Sequence, residues 1–474
     1  MIFLRNLLKA RHHVVFMLGL AAASYLIYHL EQLAKEEEEF RASVLSVTPV
    51  ALIEEAEPRM LSEEELGWAR IAWKYFENNT IPETGMVNSV DAYPASTMWD
   101  TASYMLGLIS AYRLEIVDQE DFDERMNKIL VSLATMDLYD DKLPNKSYNT
   151  HTLAMVDYEN NATELGIGWS AIDVGRILVP LNILVWNFPQ HTQAVAAVVA
   201  RWDFEALLDD GVMMGAEHND ETGAARMVQE GRIGYEEYAA KTLSMMGFDV
   251  SRALRYADFL DYEDIYDIDV PIDIRDPAQY HAHNYVVSES YILDGVEFGW
   301  DRISKEFAHR VYLAQLRRWE NTNQLTAVSE DNIDQAPYFV YNTVYSSGKA
   351  WNAITEDGED ASEFRTISTK AAFGWDALYN TEYTNLLINK VKDLHDEDKG
   401  WFSGWYEVLD EPNKAITANT NGIILETLAY RQFGSLVAMQ SAPDLMVADS
   451  DASDLVADNS SVEAAVKQDS DVLE

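Results

Sequence analysis

The chain has 474 residues, 48% of them apolar, so it can bury a large core, and its 80 acidic against 35 basic residues give a formal net charge of −45. That field repels phosphate backbones, which excludes nucleic acid as a partner; the surplus serves solvation or attracts a basic substrate. With no cysteine, disulfides, thiolate zinc sites and cysteine nucleophiles are excluded together.

At the start, Arg5, Lys9 and Arg11 precede an uncharged run from Val14 to Leu30, and Glu31 and the block Glu36 to Glu39 follow. A basic flank before and an acidic flank after predict a single-pass inner-membrane anchor over residues 1–30, with the body in the periplasm or outside the cell. Residues 31–60 read as a stem. The composition changes again after Gly434: residues 436–474 repeat Ser, Asp, Val and Ala with no aromatic residue, and read as a disordered acidic tail.

Residues 61–435 alternate amphipathic helical stretches with more uniformly apolar ones. In chain order the pairs are Glu63 to Phe76 with Met98 to Leu114, Phe122 to Leu133 with Ser170 to Leu184, and Thr192 to Leu207 with Tyr235 to Met246. Val250 to Phe259 then precedes Ser288 to Phe298, Ile303 to Trp319 precedes Thr369 to Tyr379, and Tyr383 to Leu394 precedes Thr420 to Phe433. Each second member is apolar nearly all round, as burial on both sides requires. Six such hairpins about one axis make an all-α (α/α)6 toroid. The connections Asp261 to Tyr280 and Asn321 to Phe364 exceed ordinary helix links, and long loops inside a compact domain are usually functional.

A toroid brings the starts of its inner helices to one mouth. Those starts join hydrogen-bonding groups to rings or small residues, as in Trp99-Asp100, Gly168-Trp169-Ser170, Gly234-Tyr235-Glu236-Glu237, Ser288-Glu289-Ser290-Tyr291, Ser368-Thr369-Lys370 and Asn419-Thr420-Asn421. Carbohydrate needs that combination, because sugar C–H faces stack on rings while hydroxyls need directed donors and acceptors. Glycoside hydrolysis uses two carboxyl groups, and the candidates are Glu237 as acid, Asp100 as base, and Glu330 and Asp331 as alternatives. Trp99, Trp169, Tyr235, Trp375, Trp401 and Trp405 would line the subsites. Glu407 closes the aromatic loop Gly400 to Glu407, Lys370 would point a positive group at the mouth, and Asn419 and Asn421 would bind hydroxyls. His281 and His283 could form half a metal site, but no second cluster completes it, so neither metal nor cofactor is expected.

The ordered motifs Trp99-Asp100-Thr101-Ala102-Ser103, Leu143-Pro144-Asn145, Gly168 to Arg176, Gly234 to Lys241, Ser329-Glu330-Asp331, Ser368 to Trp375 and Asn419 to Gly422 strongly resemble the bacterial family catalogued as domain of unknown function 3131. The resemblance spans roughly Leu61 to Gly434. That family is similar in turn to glucoamylase-like (α/α)6 proteins, a group that includes β-glucan hydrolases, so the resemblance implies the toroid independently of periodicity. It implies no catalytic pair, and Glu237 and Asp100 rest on the residues alone. The function expected is a membrane-anchored glycoside hydrolase acting on a glucan or exopolysaccharide. The alternatives are a non-catalytic polysaccharide-binding protein beside synthesis or export machinery, and a lyase using Lys370 and a tyrosine.

Overall fold

The computed structural model describes residues 15–30, 47–219, 224–254, 259–275, 280 and 284–437. The basic flank of the expected anchor, the first half of the stem, His281, His283 and the tail from 438 on lie outside the described residues. A first helix, α1 (Val15–Leu30), is apolar and exposed on every side. Its 16 residues reach about 24 Å, short of the roughly 30 Å hydrocarbon core of a bilayer. Among the described residues no single helix is long and apolar enough to cross a membrane.

Six inner helices form a closed ring: α3 (Met98–Arg113), α5 (Ala171–Asn187), α7 (Tyr235–Met245), α8 (Ser288–Leu293, continued by a π-turn over Asp294–Phe298), α10 (Thr369–Tyr379) and α12 (Ala418–Phe433). Each packs on the next, and α12 returns to α3. Outside them run α2 (Glu63–Asn79), α4 (Gln119–Thr135), α6 (Thr192–Val199), α9 (Arg302–Thr322) and α11 (Glu382–Val391). Sequence sorts the two layers. In α4 only one stripe is buried, including Phe122, Met126, Ile129 and Leu133 at helical spacing, whereas α3 buries an uninterrupted run from Thr101 to Ala111.

The arrangement is an (α/α)6 toroid, with three departures from the sequence reading. The helix expected over Val250 to Phe259 is absent in its described part, where residues 251–254 form turns. A hairpin of Leu260–Asp264 and Asp269–Asp273 occupies the outer position instead, and its alternation of acidic and apolar residues carries the two-residue period of a strand. Helix α6 stops at Val199 and resumes only as a short 3-10 turn, Phe204–Leu207. The long connections fold into small antiparallel sheets at the mouth, so all-α describes the ring but not its loops.

Residues 47–60 are not a free stem. They run extended over the outside of the barrel: Thr48 N–H donates to Asp269 (2.7 Å), His309 bonds the Ala51 carbonyl (2.9 Å), and Ala56 N–H and Arg59 N–H donate to the carbonyls of Leu378 and Arg431 at the far ends of α10 and α12 (both 2.8 Å).

The axis of the ring is ionic. Arg176 on α5, wholly buried, reaches Glu297 in the π-turn (2.8 Å), Glu426 on α12 (3.2 Å), Tyr238 on α7 (2.9 Å) and Ser103 on α3 (3.2 Å). Burial raises the carboxyls of Glu297 and Glu426 above their ordinary range, Glu426 the more strongly, while the charge of Arg176 opposes the rise. Arg176 supplies the counter-charge that makes the two carboxyls tolerable without water.

Close approach of inner helices depends on glycine. A Cβ at Gly422 would stand 2.6 Å from the Ser103 carbonyl oxygen, and one at Gly175 would stand 2.5 Å from Ala239 Cβ. Gly422→Ala should therefore force α12 from α3 and cost about 1–3 kcal/mol, seen as a lowered midpoint in urea unfolding; an unchanged midpoint would show that the contact can relax.

Candidate functional site

The N-termini of the inner helices open into one hollow, and a single carboxylate joins its floor. Glu289, second residue of α8, is 2% exposed and meets donors from three other inner helices or their leading loops. Trp99 Nε1 donates to its Oε1 from α3, opposite in the ring (3.1 Å), Asn419 Nδ2 donates to the same oxygen from α12 (2.8 Å), and the Lys370 ammonium on α10 pairs with Oε2. Ser329 Oγ approaches Oε2 at 3.5 Å. Every partner is a donor, as an ionised carboxylate requires.

Beside this group, the strand Glu330–Asn332 brings two further carboxyls. Asp331 Oδ1 accepts from Ser368 Oγ (3.0 Å) and lies 3.8 Å from the Lys370 ammonium, while Glu330 Oε1 accepts from the Tyr235 hydroxyl (2.7 Å). Burial, then the nearby charge of Glu289, pushes Glu330 up to about 8. Burial likewise pushes Asp331 up to about 7, with Lys370 opposing. Burial works against the charge of Lys370 itself, but Glu289, Asp331 and Glu330 outweigh it and hold the ammonium above its ordinary value.

The other wall is built from helix starts. Asp100 sits three residues after the N-cap Thr97 and Asp173 three after the N-cap Ser170; each cap hydroxyl accepts the Asp main-chain N–H and donates to its carboxylate, Thr97 Oγ1 at 2.8 Å from Asp100 and Ser170 Oγ at 3.1 Å from Asp173. Glu230, at the end of the hairpin Val212–Asn219/Ala224–Gln229, accepts the Ala171 N–H at 2.5 Å. Burial, then the charge of Glu230, pushes Asp173 up to about 7; burial also raises Asp100 and Glu230. Rings complete the lining. Tyr285 stacks on Tyr341 with centroids 4.5 Å apart, and Trp99 packs edge-on against Tyr235 at 5.5 Å. Trp99, Asp100, Asp173, Glu230, Tyr285, Glu330 and Tyr341 all keep partial solvent access.

Of the residues expected from sequence, Trp99, Asp100, Tyr235, Glu330, Asp331, Lys370 and Asn419 come together here. Glu237 does not. Its Oε2 accepts the Gly234 N–H at 2.6 Å, closing the start of α7, and the residue is 3% exposed, so its carboxyl, raised by burial and by Glu236, has no opening to a ligand. The remaining candidates are structural. Trp169 donates to the Met214 carbonyl (3.1 Å), Trp375 to Ser288 (3.0 Å) and Trp401 to the Trp68 carbonyl (3.1 Å), all three at most 1% exposed. Asn421 binds the Trp401 main chain (2.8 Å). Glu407 forks onto Arg318 (2.9 and 2.6 Å), and Trp405 lies under Lys390 of the outer helix α11.

Sequence reasoning passed over Glu289, Asp173 and Glu230. Glu289 stands inside one of the expected helix starts, and Asp173 holds the same position after its N-cap as Asp100, which was the available signal. Nothing local marks Glu230.

A family described as a protein of unknown function (DUF3131) matches residues 67–434. No curated protein matches the chain. Among solved structures, the chain is similar to a glucoamylase-like protein of Bacteroides uniformis ATCC 8492 (13% identity, 80% of this chain and 94% of that one, TM-score 0.54). It is also similar to an endo-beta-1,2-glucanase of Chitinophaga pinensis in complex with sophorotriose and glucose (14%, 80% and 94%, TM-score 0.53). An endo-beta-1,2-glucanase of Talaromyces funiculosus, a mutant in complex with beta-1,2-glucan, aligns over 87% of this chain and 90% of its own (11%, TM-score 0.51). At these identities the likeness is one of fold.

The raised carboxyls make a stability prediction whose sign is fixed. Asp331 titrates near 7 when folded and near 4 when unfolded, so its contribution is complete below about 4 and is lost as pH rises through about 7. Thermal midpoints of the wild type should fall between about pH 5 and pH 8, and Asp331→Asn should flatten that fall; an equal fall in both proteins contradicts the assignment.

Proposed function

The chain belongs to the DUF3131 family, and we propose that it is a glycoside hydrolase that cleaves a glucan or a related polysaccharide in the hollow at the barrel mouth. The observation that carries this is Glu330: a carboxyl pushed up to about 8, held by the Tyr235 hydroxyl, in an open hollow walled by rings and other carboxyls. A group with that value keeps its proton at neutral pH and can give it to a departing glycosidic oxygen. The acid role expected of Glu237 passes to Glu330, because Glu237 is tied to its own helix start.

Asp100 is the base. It faces the hollow from α3; burial holds its carboxyl above the ordinary range, while hydrogen bonds from Ser89 and Thr97 and the charge of Lys370 oppose that rise. In the reaction Glu330 protonates the glycosidic oxygen as its bond to the anomeric carbon breaks. Water adds to that carbon and its proton goes to Asp100. Trp99 and the Tyr285–Tyr341 stack offer faces for sugar rings. Lys370 and Asn419 act through Glu289, whose fixed position sets the depth of the floor. The barrel fold that the chain has in common with two endo-beta-1,2-glucanases supports a glucan among the substrates to be tried first. The basic, apolar and acidic order at the N-terminus supports a tethered protein whose catalytic domain faces the periplasm or the exterior.

Incubation of the protein with β-1,2-glucan and a panel of other polysaccharides should release new reducing ends, and Glu330→Gln should lower kcat about 10²–10⁴-fold. Unchanged polymer from a folded preparation would leave the hollow as a binding site without catalysis. Because the acid must be protonated, kcat/KM should fall as pH rises through about 7 to 8, the values at which Asp331 and Glu330 titrate. A profile flat to pH 9 would remove Glu330 from the role.

A further inference from the structure

Many buried carboxylates in this barrel come with cations. Arg176, Arg275, Arg318, Arg431 and Lys241 each hold one or more carboxylates in buried or half-buried ion pairs. On the wall of the hollow, Asp100, Asp173 and Glu230 form no ion pair among the described residues; their partners are hydroxyls and main-chain N–H groups. Burial raises all three carboxyls, Asp173 to about 7, while the charges of Lys370 and Lys146 draw Asp100 and Glu230 back toward the ionised form without forming an ion pair. Across from this wall, among the described residues, Glu330 accepts the Tyr235 hydroxyl and the buried Asp331 Oδ2 has no hydrogen-bond partner. Lys370 is already engaged by Glu289.

A neutral glucan seated here would cover Asp100, Asp173 and Glu230 without supplying a counter-charge, so each would have to take up a proton or bear the desolvation cost of an unpaired anion. The rings of Trp99, Tyr285 and Tyr341 would accept either a sugar face or a cation. We propose that the hollow takes a polysaccharide bearing ammonium groups, a polymer of de-N-acetylated hexosamine, whose cations complete the ion pairs that Asp100, Asp173 and Glu230 lack. This rests on the hydrolase reading for the place of binding, but it concerns which sugar is bound. The formal net charge of −45 favours the approach of such a polycation.

The test uses the full chain and three oligosaccharides of equal length: oligomers of glucosamine, of N-acetylglucosamine and of glucose. By titration calorimetry at about 50 mM salt the glucosamine oligomer should bind roughly 10-fold or more tightly than the other two, and the gap should narrow at about 500 mM as screening grows. Asp173→Asn and Glu230→Gln, with circular dichroism unchanged, should each shrink the ratio of amino to N-acetyl affinity several-fold. Equal or weaker binding of the amine, or a ratio untouched in both variants, overturns the proposal. If β-1,2-glucan is cleaved while the amine gains nothing, the hydrolase reading stands alone; if the amine is bound and no polymer is cut, the ligand class stands and catalysis falls. Neither binding nor cleavage by folded protein would remove both.

Discussion

The structure depends on a charged guanidinium that has no water. Arg176 stands on the barrel axis and ties α3, α5, α7, α12 and the π-turn after α8 through its four partners. Its guanidinium also lies 4.6 Å from the Trp99 ring centroid. Trp99 in turn donates to Glu289, so the buried ionic layer and the floor of the hollow form one continuous column. Ion pairs of this kind contribute little net energy against an apolar replacement, but losing one partner is costly, so their effect is to permit one arrangement of the ring and penalise others.

The ring also dictates where acidity can accumulate. All inner helices start at the mouth, and each start presents unsatisfied N–H groups and the positive end of a dipole. Asp100, Asp173 and Glu237 occupy the same position after their N-caps. Capping and chemistry therefore draw on the same residues, and whether a carboxylate is functional depends on the wall it faces. Asp100 and Asp173 turn to the hollow, while Glu237 is closed over by its own main chain and α8.

The ring was largely legible in the sequence. All-round apolarity separates inner from outer helices, and the inner starts expected at Trp99, Gly168, Gly234, Ser288, Ser368 and Asn419 fall within three residues of the observed ones. The misread outer segment after α7 lost to a two-residue alternation that begins only at Leu260. Half of the site was legible too, since Trp99, Lys370 and Asn419 could be placed at helix starts. What sequence could not resolve was aromatic purpose. Trp375 and Trp401 carry the same polar and apolar halves as Trp99, and only ring closure decides which indole N–H meets a main-chain or serine oxygen in the core and which meets Glu289. Glu289 itself is central because α8 lies opposite α3, a relation that no local pattern encodes.

The extended segment over residues 47–60 has a mechanical consequence. Its hydrogen bonds begin on the flank of the barrel, at Asp269 and Arg310, and end at the base, at Leu378 and Arg431. Bonded at both places, the segment braces α9 against the far ends of α10 and α12 from outside the ring, away from the mouth.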